Sequence, residues 1–201
     1  MDTEVIIVGG GPTGLTLAID LGLRGVRAIL IERKEAPAFL PKMERCNART
    51  MEIYRRMGIA EAVRAAGLPA HCPMDVFIVL SLTRPPLVHL PYPSVAQAKE
   101  VIAASRDGSE PLEPYQLISQ YTLEPLLKSI AEKIPSISVR FGCELISFTQ
   151  DRTCVTAAVS CIGGATSQMR ANRKCGASTN FPAGWLRPSR RSISWQRFRI
   201  I

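Results

Sequence analysis

The stretch "VIIVGGGPTGLTLAIDLGLRGVRAILIERK", which begins at Val5, constrains the fold of this chain more than any other. Val5 to Val8 is an unbroken β-branched run, the pattern of a strand buried on both faces of a parallel sheet. Gly9, Gly11 and Gly14 follow at G-x-G-x-x-G spacing. Pro12 stands at a first helical position, where a missing N–H is harmless. Leu15, Ala18, Ile19 and Leu23 share one helical face, and Gly25 supplies a stop. Val26 to Ile31 reads as the next strand and closes on Glu32, 18 residues beyond Gly14.

A strand–turn–helix–strand unit of this kind predicts an α/β, Rossmann-like fold with a parallel central sheet. It also predicts what the turn carries. Gly9 allows the tight turn out of the strand, Gly11 lets a pyrophosphate approach the backbone, and Gly14 lets the helix pack closely on the sheet. The helix start, with Pro12 and Thr13, offers free N–H groups and partial positive charge to phosphates. Glu32 stands where an acid accepts hydrogen bonds from the ribose hydroxyls, and it would repel a 2′-phosphate. With Arg33 beside it, this set forms a candidate dinucleotide site. The spacing alone leaves NAD and FAD open.

Net charge and cysteine usage bear on partners and compartment. The formal charge of +8 suggests nucleic acid until it is located. Residues 1–151 hold 16 Lys and Arg against 17 Asp and Glu, whereas residues 152–201 hold nine basic residues and no acidic one. The surplus belongs to the last quarter, so no nucleic-acid partner is expected of the domain. Cys46, Cys72, Cys143, Cys154, Cys161 and Cys175 form no C-x-x-C pair, and no histidine lies at ligand spacing. They read as buried or free thiols in a reducing cytoplasm, with no metal site. His71 and His89 have no partner acids at motif spacing and receive no role. The N-terminus does not resemble a secretory leader, and no apolar stretch approaches the ~20 residues of a membrane span.

Further along, residues 33–43 read as a loop. "NARTMEIYRRMGIAEAVRAAG" reads as helical, with Met51, Tyr54 and Met57 on one face and a break at Gly58. Residues 69–115 read as short strands and loops, "DVFIVL" being the clearest strand. "YTLEPLLKSIAEKI" is an amphipathic helix; "SISVRF", "ELISFTQ" and "VTAAVSC" read as strands. From Gly163 onward the periodicity fades. The expected division is an incomplete dinucleotide-binding domain over 1–160 and an atypical basic tail over 161–201, the tail read as an out-of-frame or mis-spliced extension.

Three stretches in order carry a family resemblance. The glycine-turn unit is the first, "PKMERCNARTMEIYRRMGI" the second and "YQLISQYTLEPLLKSIAE" the third. Up to about residue 150 the chain resembles the FAD-dependent aromatic hydroxylases, single-component flavoprotein monooxygenases acting on phenols and polyketides. The resemblance implies FAD as cofactor, NAD(P)H as co-substrate and a small aromatic or polyketide-like substrate. It matches Gln120 to a glutamine near the flavin. Arg45 and Arg49 stay open between contacts to the FAD pyrophosphate region and solvated arginines at a helix start. No catalytic residue is assigned. The family also places a Gly-Asp motif on a later strand, where this chain has "RKCGASTN" with Cys175 and Gly176. The chain is therefore expected to be a truncated form that does not hydroxylate by itself. An NAD-dependent dehydrogenase and a non-catalytic nucleotide-binding fragment remain as alternatives.

Overall fold

The computed structural model describes residues 2–37, 42–164, 166–172 and 199–200. In chain order the first elements are β1 (Asp2–Thr3), β2 (Val5–Val8), α1 (Pro12–Leu23), β3 (Ala28–Glu32), β4 (Arg45–Cys46), α2 (Ala48–Arg56) and α3 (Ala60–Ala66). Then come β5 (Val76–Ile78), β6 (Val88–Leu90), α4 (Val95–Ala104), β7 (Gln116–Leu117) and α5 (Gln120–Glu132). The last are β8 (Ile137–Phe141), β9 (Cys143–Gln150), β10 (Cys154–Cys161), β11 (Thr166–Asn172) and β12 (Arg199–Ile200). They divide into two units, Met1–Pro37 with Leu127–Ile201, and Ala38–Leu126.

The first unit is built on the predicted parallel sheet. β3 lies between β2 and β8 and runs parallel to both, while β12 pairs antiparallel with β2. Successive side chains of a strand face opposite ways, so Ile6, Ile29 and Ile31 face one side of the sheet, and Ile7 and Leu30 the other. On the first side they pack against Cys143, Ala157, Val159, Met169 and Ala171 of a second sheet, ordered β1-β11-β10-β9. α1 packs on β2, β3 and β8.

The face α1 buries is Gly14, Leu15, Ala18, Ile19 and Gly22. Leu23, placed on that face by periodicity, is instead 56% exposed. Gly22 takes the inward position because a Cβ there would stand 2.7 Å from both Ile134 and Ile137. The second sheet also corrects the reading beyond Gly163. β11 pairs with β10 from Ser160↔Thr166 to Cys154↔Asn172, and Met169 and Ala171 alternate inward. The expected boundary at residue 160 falls inside this hairpin. The rest of the basic tail, including Cys175 and Gly176, lies outside the described residues, except for Arg199 and Ile200 of β12.

The connection between β9 and β10 is held by Asp151. One carboxylate oxygen accepts from Thr153 N–H at 2.6 Å, Thr153 O–H at 2.7 Å and Cys154 N–H at 2.8 Å. At the other end of these strands Cys143 and Cys161, register partners, are joined by a disulfide. That overturns the reading of all six cysteines as free or buried thiols. Among the described residues Cys46, Cys72 and Cys154 are free, and burial pushes the Cys46 thiol up to about 11.

In the second unit α2 is capped by Asn47, whose side chain accepts from Thr50 N–H. Met51, Tyr54 and Met57 are buried, and Gly58, at φ 74°, ends the helix as expected. Arg64 of α3 is buried; it donates to Glu113 at 2.6 Å, to the Pro114 carbonyl at 3.0 Å and to Gln116 at 3.1 Å. α4 was missed in the mixed stretch 69–115. Its start carries a full capping box between Ser94 and Gln97, a pairing that satisfies two orphan donors at once. "DVFIVL" supplies only the three-residue β5, paired with β6, and Phe77, Ile78, Leu80 and Val88 around it are exposed.

Candidate functional site

The glycine turn leaves β2 at Gly9, whose φ of 116° is one that side chains rarely adopt. Its N–H donates to the Ile31 carbonyl at 2.8 Å and so ties the turn to β3. Gly11 is the N-cap of α1, with φ −77° and ψ −179°, and no side chain caps the helix start. Pro12 is the first helical residue, Thr13 is exposed and Gly14 is buried. The first turn of α1 contains no acidic residue. Because the first N–H groups of any helix lack intrahelical partners, this start is open to an anion, with no carboxylate of its own turn competing for it.

Glu32 reaches this turn from the end of β3. One carboxylate oxygen accepts from Gly10 N–H at 2.7 Å, and the other from Lys34 N–H at 3.0 Å. Sequence reasoning placed the acid but not these bonds, and it passed over Gly10 altogether. A Cβ at Gly10 would stand 2.8 Å from both Glu32 Cβ and Phe141 Cζ. The middle glycine of "GGG" is thus needed for packing between the turn and two strands. The signal in the sequence was the run itself, which exceeds what the spacing motif requires. Arg33 is exposed beside Glu32.

The remaining expected residues belong to the second unit. Arg45 is exposed, with its guanidinium 5.9 Å from the centre of the Tyr115 ring. Arg49 pairs with Glu52 at 3.1 Å and is 73% exposed. Gln120 is buried. Its carbonyl oxygen accepts from Lys42 N–H at 2.9 Å, and its amide donates to Glu124 at 2.5 Å. An amide carries two N–H donors and its carbonyl two lone pairs, so these two bonds leave the side chain hydrogen-bonding capacity for a further contact. The neighbouring Ser119 hydroxyl is buried and has no hydrogen-bond partner among the described residues.

The residues of the first unit fit the adenosine and pyrophosphate end of a dinucleotide. Among the described residues no side chain caps the helix start, and the half-buried Gly11 presents backbone there without a Cβ. A carboxylate has about four acceptor positions, so Glu32 keeps capacity for hydroxyl donors beyond its two backbone bonds. Fold and turn together define a dinucleotide-binding α/β protein.

The chain belongs to the FAD-binding-domain family: residues 2–177 match the family model described as FAD binding domain. FAD is accordingly its cofactor. The FAD-dependent monooxygenase apdD of Emericella nidulans is 38% identical over 139 residues, covering 69% of this chain and 22% of that protein. Aklavinone 12-hydroxylase DnrF of Streptomyces peucetius is 34% identical over 172 residues, covering 85% of this chain and 34% of that protein. Among solved structures, the flavin-dependent monooxygenase PieE in complex with FAD and substrate superposes with a TM-score of 0.73 at 30% identity, covering 86% of this chain and 29% of that one. The chain thus spans between about a fifth and a third of the length of these relatives. Among the described residues no helix is long and apolar enough to cross a membrane.

Proposed function

We propose that this chain is the FAD-binding part of an NAD(P)H-dependent monooxygenase that hydroxylates an aromatic or polyketide-like substrate. The observation that carries the reading is the glycine turn with Glu32 bonded to Gly10 N–H, in a chain whose relatives are named as monooxygenases and hydroxylases. Bound FAD supplies the redox chemistry, accepting reducing equivalents from NAD(P)H and activating oxygen for transfer to the ring. The chain's own residues bind and orient. The start of α1, from Gly11 through Gly14, takes the pyrophosphate. Glu32 accepts from the adenosine ribose hydroxyls, and Arg33 lies beside it.

Arg45 and Arg49 belong to the proposal as contacts to the FAD pyrophosphate region, and Gln120 as a contact near the flavin. The FAD-binding unit is placed at residues 2–172, since β11 completes the second sheet, with a basic segment beyond it. A cytoplasmic location is part of the same reading. Residues 1–201 alone are proposed to hold FAD without hydroxylating, because the relatives carry most of their length outside the matched region.

The test is the absorbance of the purified chain after incubation with FAD and gel filtration. Flavin bands that remain with the wild-type chain and are lost with Glu32→Ala support the reading, since a hydrogen bond to a charged group contributes about 1.5–3 kcal/mol. A colourless wild-type chain refutes it. Hydroxylated phenols formed in step with NADPH consumption would refute the proposed inactivity of the chain alone.

A further inference from the structure

Glu32 is also held from behind. Lys34, whose N–H binds the Glu32 carboxylate, presents its carbonyl to Gly142 N–H at 2.8 Å. The Gly142 carbonyl accepts from Ile162 N–H at 2.9 Å. Gly142 has φ 72°, and a Cβ there would stand 3.0 Å from Ile162 Cδ1. The residues adjoining this corner, Cys143 at the start of β9 and Cys161 at the end of β10, are joined by the disulfide. Cys143 is 6% exposed and packs in the core with Ile6, Ile29 and Ile31 of the two strands that carry the turn and the acid.

We propose that the Cys143–Cys161 bond is a positioning element for dinucleotide binding. It fixes the corner of Gly142 and Ile162, the corner fixes Lys34, and Lys34 fixes the carboxylate of Glu32. Opening the bond releases that chain of contacts and lowers affinity for the adenosine end of the cofactor. The inference rests on the reading of Glu32 as a ribose acceptor. In a reducing compartment the bond opens by thiol–disulfide exchange with an external dithiol. A thiolate of the dithiol attacks the sulfur of Cys161, the less buried of the pair. The S–S bond breaks and Cys143 leaves as thiolate. The second sulfur of the dithiol then displaces Cys161. Both chain cysteines end as thiols after protonation, and the dithiol is oxidised to its own disulfide.

The test uses the full chain and ADP, which carries the adenosine and pyrophosphate but no flavin, so that reductant cannot act on the probe. ADP affinity is measured by calorimetry before and after reduction, with the mass gain of two hydrogens confirming the state of the pair. Reduction should weaken ADP binding about threefold or more in the parent, and leave it nearly unchanged in Glu32→Ala, as coupled residues require. The double variant Cys143→Ser, Cys161→Ser should match the reduced parent. Gly142→Ala, which crowds the same corner with the bond intact, should weaken binding likewise, so the inference does not depend on the serine variant folding. Unchanged affinity on reduction, with Glu32→Ala still weakening ADP, overturns the positioning role and leaves the ribose reading standing. An equal loss on reduction in Glu32→Ala and parent shows a general loosening of the fold and also overturns it. A Glu32→Ala chain that binds ADP as the parent does removes the ribose reading, and the inference with it.

Discussion

Replacing Gly10 by alanine tests the turn at its tightest point. The new Cβ would stand 2.8 Å from Glu32 Cβ and from Phe141 Cζ, and 3.1 Å from Glu32 Cγ. Ordinary carbon contacts begin near 3.5 Å, so the overlap is about 0.7 Å on two sides. The Phe141 ring can yield at its far end. Glu32 Cβ cannot, because it is fixed to the backbone of β3, whose pairing with β8 continues to Glu32↔Phe141. Overpacking of this kind costs about 1–3 kcal/mol, and the immobile partner places this site in the upper half of that range. For a domain of this size that corresponds to a fall in Tm of about 2–4 °C per kcal/mol. The displaced turn also lengthens the 2.7 Å bond from Gly10 N–H to Glu32, so ADP affinity should fall with stability. Thermal unfolding followed by circular dichroism, with calorimetric ADP titration below the transition, measures both. A variant with unchanged Tm and unchanged affinity would refute the packing argument, since no arrangement of β3 and the turn as described could accept the methyl group.

Gly11→Val should act differently. The φ of −77° at Gly11 suits any residue, so circular dichroism should stay unchanged while dinucleotide affinity drops by about tenfold or more, the side chain standing where phosphate must approach backbone. Arg64→Met should destabilise the chain by about 3 kcal/mol, near the lower end for breaking a buried pair, because Arg55 lies 3.7 Å from the stranded Glu113; chemical denaturation should show most of the loss recovered by adding Glu113→Gln. At Asp151, the Thr153 hydroxyl, followed by the N–H groups of Thr153 and Cys154, holds the carboxyl below its ordinary value. With the folded pKa depressed, its contribution is present above the ordinary carboxylate range and lost as pH falls through the folded value. Asp151→Ala should therefore lower Tm at neutral pH, and the difference from the parent should shrink in strong acid.

The elements legible in the sequence are those set by local pattern alone. Val5–Val8 could be read because a strand covered on both faces needs apolar residues at every position. Gly9 and Gly58 could be read because their positive φ values arise where the chain leaves a strand or a helix. The inward face of α1 was read one residue too far, at Leu23. What decides it is the crowding of Ile134 and Ile137 around Gly22, more than a hundred residues away in the chain. α4 was obscured by the prolines around it, although Ser94 and Gln97 had the spacing of a capping box. The cysteine pair depends on the register of β9 against β10. That register is set by the Asp151 turn and by an irregularity between Ala158 and Val159, neither of which the alternation of residues encodes. Glu32 was found by position, yet its grip on Gly10 follows only from how closely the turn lies against β3.

That grip has a kinetic consequence. Because the carboxylate already fixes Gly10, the turn is ordered when the chain folds, and its conformational entropy is lost then and not at the encounter with ligand. Association should follow a single step, with an observed rate rising linearly with ADP concentration and no plateau from a preceding rearrangement. Differences in affinity among variants of this turn that keep the Glu32 contact should consequently appear in the rate at which the nucleotide leaves.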